Sequence, residues 1–258
     1  MATAAAPRSL PAGQDTRFFT AMAFAMSAII LAGFSLNLVA GRSSFAVPAP
    51  YHVHALIFMG WIGLYCAQAV TAATGNWPLH ARLGRLAYLW VPLMVLAGVI
   101  IMVVVARRTG GPFFFNRDEF LVSNFAGLLA FGWLAVWSLR QQRHRGWHRR
   151  LMLVAMSILT GPGIGRLLPM PLLIPYAWVI SVGLTFAFPI IGMIVDKRRH
   201  GQVHPAYWWG ISLYLGIFLA SLALAYSPLG HAFSDWIVAG SPGAERPVEP
   251  YLPAGIGM

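Results

Sequence analysis

The chain has 258 residues, of which 58% are hydrophobic and only 10% are charged. Ordinary soluble domains are about 25% charged, so this composition excludes a soluble globular protein and indicates one that resides in a lipid bilayer. The net charge of +11 does not indicate a nucleic-acid partner, because the basic residues fall in short clusters between long apolar segments.

The apolar segments are close to the roughly 20 residues that a helix needs to cross a bilayer. Seven spans are predicted, at residues 18–40, 51–73, 83–105, 119–139, 151–168, 172–195 and 207–226. Residues 1–17 are rich in Ala, Pro and Gly and are predicted to be disordered. Residues 227–258 are predicted to form an extended tail with one short amphipathic piece. The predicted fold is therefore an all-α polytopic membrane helix bundle over residues 18–226.

The basic residues predict the orientation of this bundle. With seven spans, the N-terminus and the turns after spans two, four and six lie on one side of the membrane. That side holds twelve of the 18 Lys and Arg residues, and the other side holds six. The positive-inside rule then predicts a cytoplasmic N-terminus and a C-terminal tail on the outer side.

Spans two to seven form three hairpins, and the cytoplasmic turn of each contains a histidine. The first two turns share the pattern His-x-Arg-Leu, at His80 and at His148, and the third contains His204. If their helices are neighbours, the three imidazoles could hold zinc, iron or copper. Two of them on separate helices could instead hold a haem iron. The alternative is that all three belong to an interfacial belt of polar and aromatic residues.

A second group of polar residues follows one face of span two. Steps of four, three, four and three residues connect His54, Phe58, Trp61, Tyr65 and Gln68. Such spacing lines one face of a helix, and we expect this face to point into the bundle. His52 is about 200° away from His54 around the helix and points elsewhere.

The outer polar cluster is predicted to comprise His54 and Gln68, together with His52 at the same end of span two as His54 and two further polar residues. Asn124 lies a little over one turn into span four, and Arg166 follows the sequence LTGPGIG in span five. The Gly-Pro-Gly run should break or kink that helix and free backbone groups. The guanidinium of Arg166 could then bind a carboxylate, a phosphate or a quinone carbonyl, or it could extend to the lipid head groups.

With the His-x-His of span two, the two His-x-Arg-Leu turns and the sequence GQVHPAYWWG in view, the chain resembles a group of bacterial multi-pass membrane proteins of unassigned activity. It is also loosely similar to the b-type di-haem membrane cytochromes, which hold haem between His pairs on facing helices. The resemblance implies a bacterial inner-membrane location and two inner ligands from His80, His148 and His204. It also implies an outer ligand at His54 or His52, although no other span offers a second outer histidine.

Three functions are compatible with these features. The first is a membrane redox protein that binds haem b, or another His-ligated metal ion, near the cytoplasmic face and exchanges electrons with a quinone or other lipophilic small molecule. The second is a carrier or binder of a small anionic or lipophilic solute, which would use Arg166. The third is an accessory subunit with a membrane-protein partner. Sequence signatures of hydrolases, metalloproteases and P-loop proteins are missing.

Overall fold

A computed structural model describes residues 12–253 of the chain, and within them all regular structure is helical. The α-helices are α1 (Ala12–Val39), α2 (Ala49–Ala73), α3 (Trp77–Thr109), α4 (Arg117–Arg140), α5 (Arg145–Ile158), α6 (Gly161–Leu167), α7 (Ala177–Thr185), α8 (Ala187–His200), α9 (Pro205–Ala225) and α10 (Pro228–Val238). Short 3-10 helices cover Met170–Leu173 and Pro242–Glu245. The prediction of an all-α polytopic bundle is confirmed.

Six helical segments in the described part of the chain are long and apolar enough to cross a membrane. They are α1 from Asp15, α2, α3, α4, the segment Ala177–His200 formed by α7 and α8, and α9. The fifth predicted span, residues 151–168, is not one helix. It is divided into α5 and α6 by a turn at Leu159 and Thr160, immediately before the Gly-Pro-Gly run that predicted a break.

The divided segment lies at the centre of the bundle. All nine residues from Arg150 to Ile158 are buried, and α5 contacts α1, α4, α7, α8 and α9. Arg150 is therefore enclosed by protein, whereas the neighbouring Arg149 keeps about 30% of its side chain exposed. Arg150 forms a bidentate ion pair with Asp196 of α8, with both N–O distances 2.7 Å and both side chains about 3–4% exposed. Arg149 pairs with Asp15 of α1.

Helix α6 crosses α1 at very short range. A Cβ atom on Gly33 would collide with the backbone of Gly163, and one on Gly163 would collide with the backbone at Ile30. Only glycine at both positions allows this approach. The crossing brings Arg166 of α6 against Phe34 of α1, with the guanidinium carbon 4.0 Å from the ring centre.

Both predicted terminal boundaries differ from the structure. Helix α1 begins at Ala12, because Asp15 in its first turn is tied to Arg149 and to His200. The prediction of disorder is therefore wrong for residues 12–17, and residues 1–11 lie outside the described residues.

The described part of the C-terminal segment is docked on the bundle. The predicted amphipathic piece is α10, which packs on α3, α4 and α9. Beyond it, Arg246 inserts its guanidinium among the backbone carbonyls of Gly110, Pro112 and Phe115. Backbone bonds from Arg117 and Tyr251 pair this segment with the start of α4 and the preceding loop. We refer to this end of the bundle as the tail end, and to the opposite end, which holds His80, His148 and His204, as the histidine end.

Candidate functional site

His80 is held by the last turns of α2 in a defined orientation. Its Nδ1 atom lies 3.1 Å from the backbone carbonyl oxygen of Gln68 and 3.3 Å from the hydroxyl of Thr71. In return, the side-chain amide of Gln68 donates to the backbone carbonyl of His80 at 3.1 Å. The residue is thus clamped to Gln68 by two hydrogen bonds that run in opposite directions.

His148 is held by α4 in the same way. Its Nδ1 atom lies 2.9 Å from the backbone carbonyl oxygen of Ser138 and 3.0 Å from the Ser138 hydroxyl, which itself donates to the backbone carbonyl of His148 at 2.7 Å. Ser138 lies in the last turn of α4, where its carbonyl accepts from the backbone N–H of Gln141 as well as from the His148 ring. Ser138 therefore has the role that Gln68 has in the first hairpin.

The two clamps make the hairpins α2–α3 and α4–α5 structurally equivalent. The equivalence pairs Gln68 with Ser138, an offset of 70 residues, and His80 with His148, an offset of 68. The four-residue His-x-Arg-Leu match thus reflects a common local structure. The sequence analysis did not predict Gln68 and Ser138 as partners of these histidines. Each lies on the preceding helix, twelve residues before His80 and ten residues before His148, and a polar residue at that distance could have indicated the pairing.

The clamps also fix which ring nitrogen carries the proton. A backbone carbonyl can only accept, so Nδ1 of His80 and of His148 must be the N–H donor. In the neutral imidazole the Nε2 atom then keeps a free lone pair. Neither Nε2 atom makes a hydrogen bond to another described residue. A ring whose Nδ1–H donates to a carbonyl, and whose Nε2 is free, is the usual form of a metal-ligating histidine.

His204 has the opposite arrangement. It is the N-cap of α9, and its Nδ1 accepts a hydrogen bond from the backbone N–H of Ala206 at 3.1 Å. Burial, with Arg150 nearby, lowers the pKa of His204 to about 4, so the ring is neutral. Because Nδ1 accepts, the proton of the neutral ring is on Nε2, and that atom has no lone pair for a metal. In this tautomer His204 caps helix α9 and offers no ring nitrogen to a metal.

The three histidines share one end of the bundle but do not form one cluster. The His204 ring packs edge-on against Trp147, the neighbour of His148, with 5.6 Å between the ring centres. The rings of His80 and His148 lie within electrostatic range of each other. Among residues 12–253, however, no group of three His, Cys, Asp or Glu side chains lies close enough together to hold a metal ion.

One indole ring, of Trp77, and one guanidinium, of Arg145, lie beside His80. The edge of the Trp77 ring meets the His80 ring at a centroid distance of 5.8 Å, and the guanidinium of Arg145 lies 4.6 Å above Trp77. Arg145 is also within electrostatic range of His80. The two hairpins therefore meet here, since Trp77 belongs to the first hairpin and Arg145 to the second.

The polar face of α2 points into the bundle, as predicted, but its residues lie at different depths. Three buried side-chain atoms on this face lack a hydrogen-bond partner among the described residues: Nδ1 of His54, Nε1 of Trp61 and Oε1 of Gln68. Gln68 bonds to His80 and so lies at the histidine end. Its assignment to the outer polar cluster is wrong, because fourteen residues of helix separate it from His54 by about 21 Å.

The outer polar cluster is reduced to His54 and Arg166, which lie within electrostatic range of each other. Arg166 donates to the backbone carbonyl of Pro162 at 2.8 Å, and its Nε atom has no hydrogen-bond partner within residues 12–253. Asn124 donates to the carbonyl of Phe120 within its own helix, at 2.8 Å. His52 is exposed on the opposite face of α2, as its position in the sequence predicted.

Comparisons of the chain with models of protein families, with curated proteins and with solved structures find no match. The chemistry of this bundle must therefore be argued from its own residues, of which the clamped His80 and His148 are the most specific.

Proposed function

We propose that the protein is a membrane redox protein that binds haem b between the hairpins α2–α3 and α4–α5, with His80 and His148 as the protein ligands. The observation that carries this proposal is the pair of equivalent clamps, which leave a free Nε2 lone pair on each ring. Both rings belong to the same end of the bundle, and each projects from a separate hairpin.

The number of available ligands favours haem over the other metals that histidine binds. A structural zinc site uses four protein ligands and a catalytic site three. Haem iron takes four ligands from the porphyrin and needs only one or two from the protein. Two clamped imidazoles fit that requirement. His204, with its capping role, is not needed as a third ligand.

The surroundings of the two rings fit a porphyrin as well. The porphyrin carries two carboxylates, and the exposed guanidinium of Arg145 beside His80 is a suitable partner for one of them. Trp77 supplies an aromatic surface next to the His80 ring. The buried Oε1 atom of Gln68, which accepts no hydrogen bond from a described residue, is a further acceptor near this region. Bound haem would supply one-electron transfer, and the chain's own residues would orient the ligands and restrict access of water.

The orientation that accompanies this proposal puts the histidine end on the cytoplasmic side of a bacterial inner membrane. It follows from the excess of Lys and Arg on that side. A lipophilic electron partner such as a quinone would then bind near His54 and Arg166, where Nδ1 of the ring and Nε of the guanidinium are buried without a hydrogen-bond partner in the described part of the chain.

An absorption spectrum tests the leading proposal. Protein purified in detergent after expression with sufficient haem should show a Soret band and an α-band that sharpens on reduction, together with stoichiometric iron. The variants His80→Ala and His148→Ala should each lose the six-coordinate spectrum, whereas His204→Ala should keep it. A colourless wild-type protein without bound iron, or equal loss in all three variants, would overturn the assignment.

Arg166 favours a second candidate function, the binding or transport of a small anionic or lipophilic solute. Arg166 is half-buried, with its Nε atom enclosed; its guanidinium stacks on Phe34 and makes no ion pair with a described residue. An enclosed cation without a counter-ion has strong attraction for an anion. In that case Arg166→Ala would abolish stabilisation by the solute, and His80→Ala would have no effect on it. The opposite pattern would support the redox proposal.

A further inference from the structure

A long groove runs along the lipid-facing side of α4, between α3 and α9. Its volume is about 1310 Å³, above the roughly 300–1,000 Å³ of common small-molecule pockets. The indole rings of Trp133, Trp137 and Trp209 line it. Gly132 forms part of the floor, where α3 and α4 approach so closely that a Cβ atom would press on Val95.

The length of the groove corresponds to one leaflet of a bilayer. It extends along α4 from Leu129 to Arg140. Eleven residues of helix cover about 16 Å, which is close to half of the roughly 30 Å hydrocarbon core. Leu129 is at the middle of α4, and Arg140 is the last residue of α4, at the histidine end.

The polarity of the residues that line the groove increases along α4 from Leu129 to Arg140. The deep part of the groove is apolar, whereas its outer opening carries the exposed Arg140. Arg140 makes no ion pair with any residue in the range 12–253. Beside it, the Tyr88 hydroxyl donates to the carbonyl of Leu139 at 3.0 Å and accepts from the side chain of Gln142 at 3.5 Å. The opening thus offers a free cation and neutral hydrogen-bonding groups at the level of lipid head groups.

We propose that this groove is a binding site for an anionic phospholipid from the leaflet on the histidine side. One acyl chain lies along α4 as far as Leu129, and the phosphate pairs with Arg140. The charge of Arg140 selects a lipid with net negative charge over a zwitterionic one, since a basic residue at the membrane surface contributes about 1 kcal/mol of attraction to anionic lipid. This site is separate from the proposed haem ligands.

Native mass spectrometry of the delipidated protein tests the site. Phosphatidylglycerol and phosphatidylcholine with the same acyl chains are added in turn to the protein in detergent, and the bound fraction is measured. Wild type should bind phosphatidylglycerol about five-fold more tightly. Arg140→Gln should bind the two lipids equally. Arg143→Gln is the matched control, because Arg143 is exposed in the following turn and does not line the groove; it should keep the preference.

A second variant tests the acyl part of the site without changing charge. Ser212 of α9 lines the groove and is exposed, so Ser212→Trp should fill the groove and reduce binding of both lipids. Its thermal unfolding is measured in parallel, to verify that the bundle is intact. The proposal is overturned if Arg143→Gln loses the preference as fully as Arg140→Gln does. It is also overturned if the protein is a dimer that covers this groove, with Ser212→Trp converting it to monomer.

Discussion

Ser138 and His148 are joined by two hydrogen bonds of opposite direction, one from the Ser138 hydroxyl to the His148 carbonyl and one from the His148 ring to the Ser138 carbonyl. The second bond uses a backbone atom, so no side-chain substitution at Ser138 removes it. The same geometry connects His80 with Gln68. Both rings are therefore locked in one tautomer by the main chain of the preceding helix.

This geometry predicts the proton positions of three histidines. In protein without haem, ¹⁵N spectra of labelled histidine should show His80 and His148 with the proton on Nδ1, because each Nδ1 faces a carbonyl. His204 should carry it on Nε2, because its Nδ1 accepts from Ala206. Single His→Gln variants assign the signals. An Nε2–H form at His80 or His148 would contradict the clamp and remove the free lone pair on which the haem proposal depends.

The ion pair between Arg150 and Asp196 should be essential for stability. Asp196→Asn leaves the Arg150 guanidinium buried without a counter-charge, which typically costs about 3–5 kcal/mol. Thermal unfolding in detergent measures the loss. The double variant Arg150→Met, Asp196→Leu removes both charges and should recover most of the stability. If the double variant is as unstable as Asp196→Asn, the unpaired charge is not the cause.

The α1–α6 crossing predicts different effects for two Gly→Ala substitutions. Gly33→Ala puts a methyl group into the backbone of Gly163, and overpacking of this kind costs about 1–3 kcal/mol. Gly183 of α7 is the control, because a Cβ atom there would meet nothing within 4 Å. Gly183→Ala should therefore leave the unfolding temperature unchanged or raise it. Equal destabilisation by both would show that the crossing is not tight.

His231 should make the docking of α10 depend on pH. The hydrogen bond to Asp118, at 2.7 Å, raises the pKa of this exposed ring, with further attraction from Asp235 and opposition from Arg117. A raised pKa means that the folded state holds the proton more tightly. The stabilisation is thus complete below the ordinary histidine pKa of about 6.5 and is lost as the pH rises through the folded-state value.

Hydrogen-exchange protection factors for α10 measure this effect. They should be highest below the ordinary histidine pKa of about 6.5 and should fall as the pH rises through the raised folded-state pKa. His231→Gln keeps a hydrogen-bonding side chain without the charge, and its profile should be flat over the same range. A wild-type profile as flat as that of the variant would contradict a contribution from His231.

The sequence predicted the bundle, the inward face of α2 and the break in the fifth span, because each depends on a local pattern. Periodicity gives the direction of a side chain around a helix but not its partner across the bundle. His54 and Gln68 were therefore grouped although they lie near opposite ends of α2. The capping role of His204 was missed for a related reason: it depends on one backbone N–H two residues further on, not on the composition of the turn.

The C-terminal segment shows the same limit on the prediction. Its prolines and glycines indicated an extended chain, and such residues do exclude a long helix. The docked structure depends instead on Arg246 and on three backbone carbonyls, of Gly110, Pro112 and Phe115, that accept from its guanidinium. Those partners lie more than 130 residues earlier in the chain, so no local pattern contains them.

The central position of α5 has a consequence for biogenesis. Its arginines make it a poor substrate for the translocon, since a segment of this kind partitions weakly into lipid. Asp15 of α1 is already synthesised when α5 emerges, but Asp196 of α8 is not. During translation, Arg150 therefore has no counter-ion until about 46 further residues have been synthesised. Synthesis of the second half of the protein therefore supplies both Asp196 and the helices α7, α8 and α9 that complete the enclosure of α5.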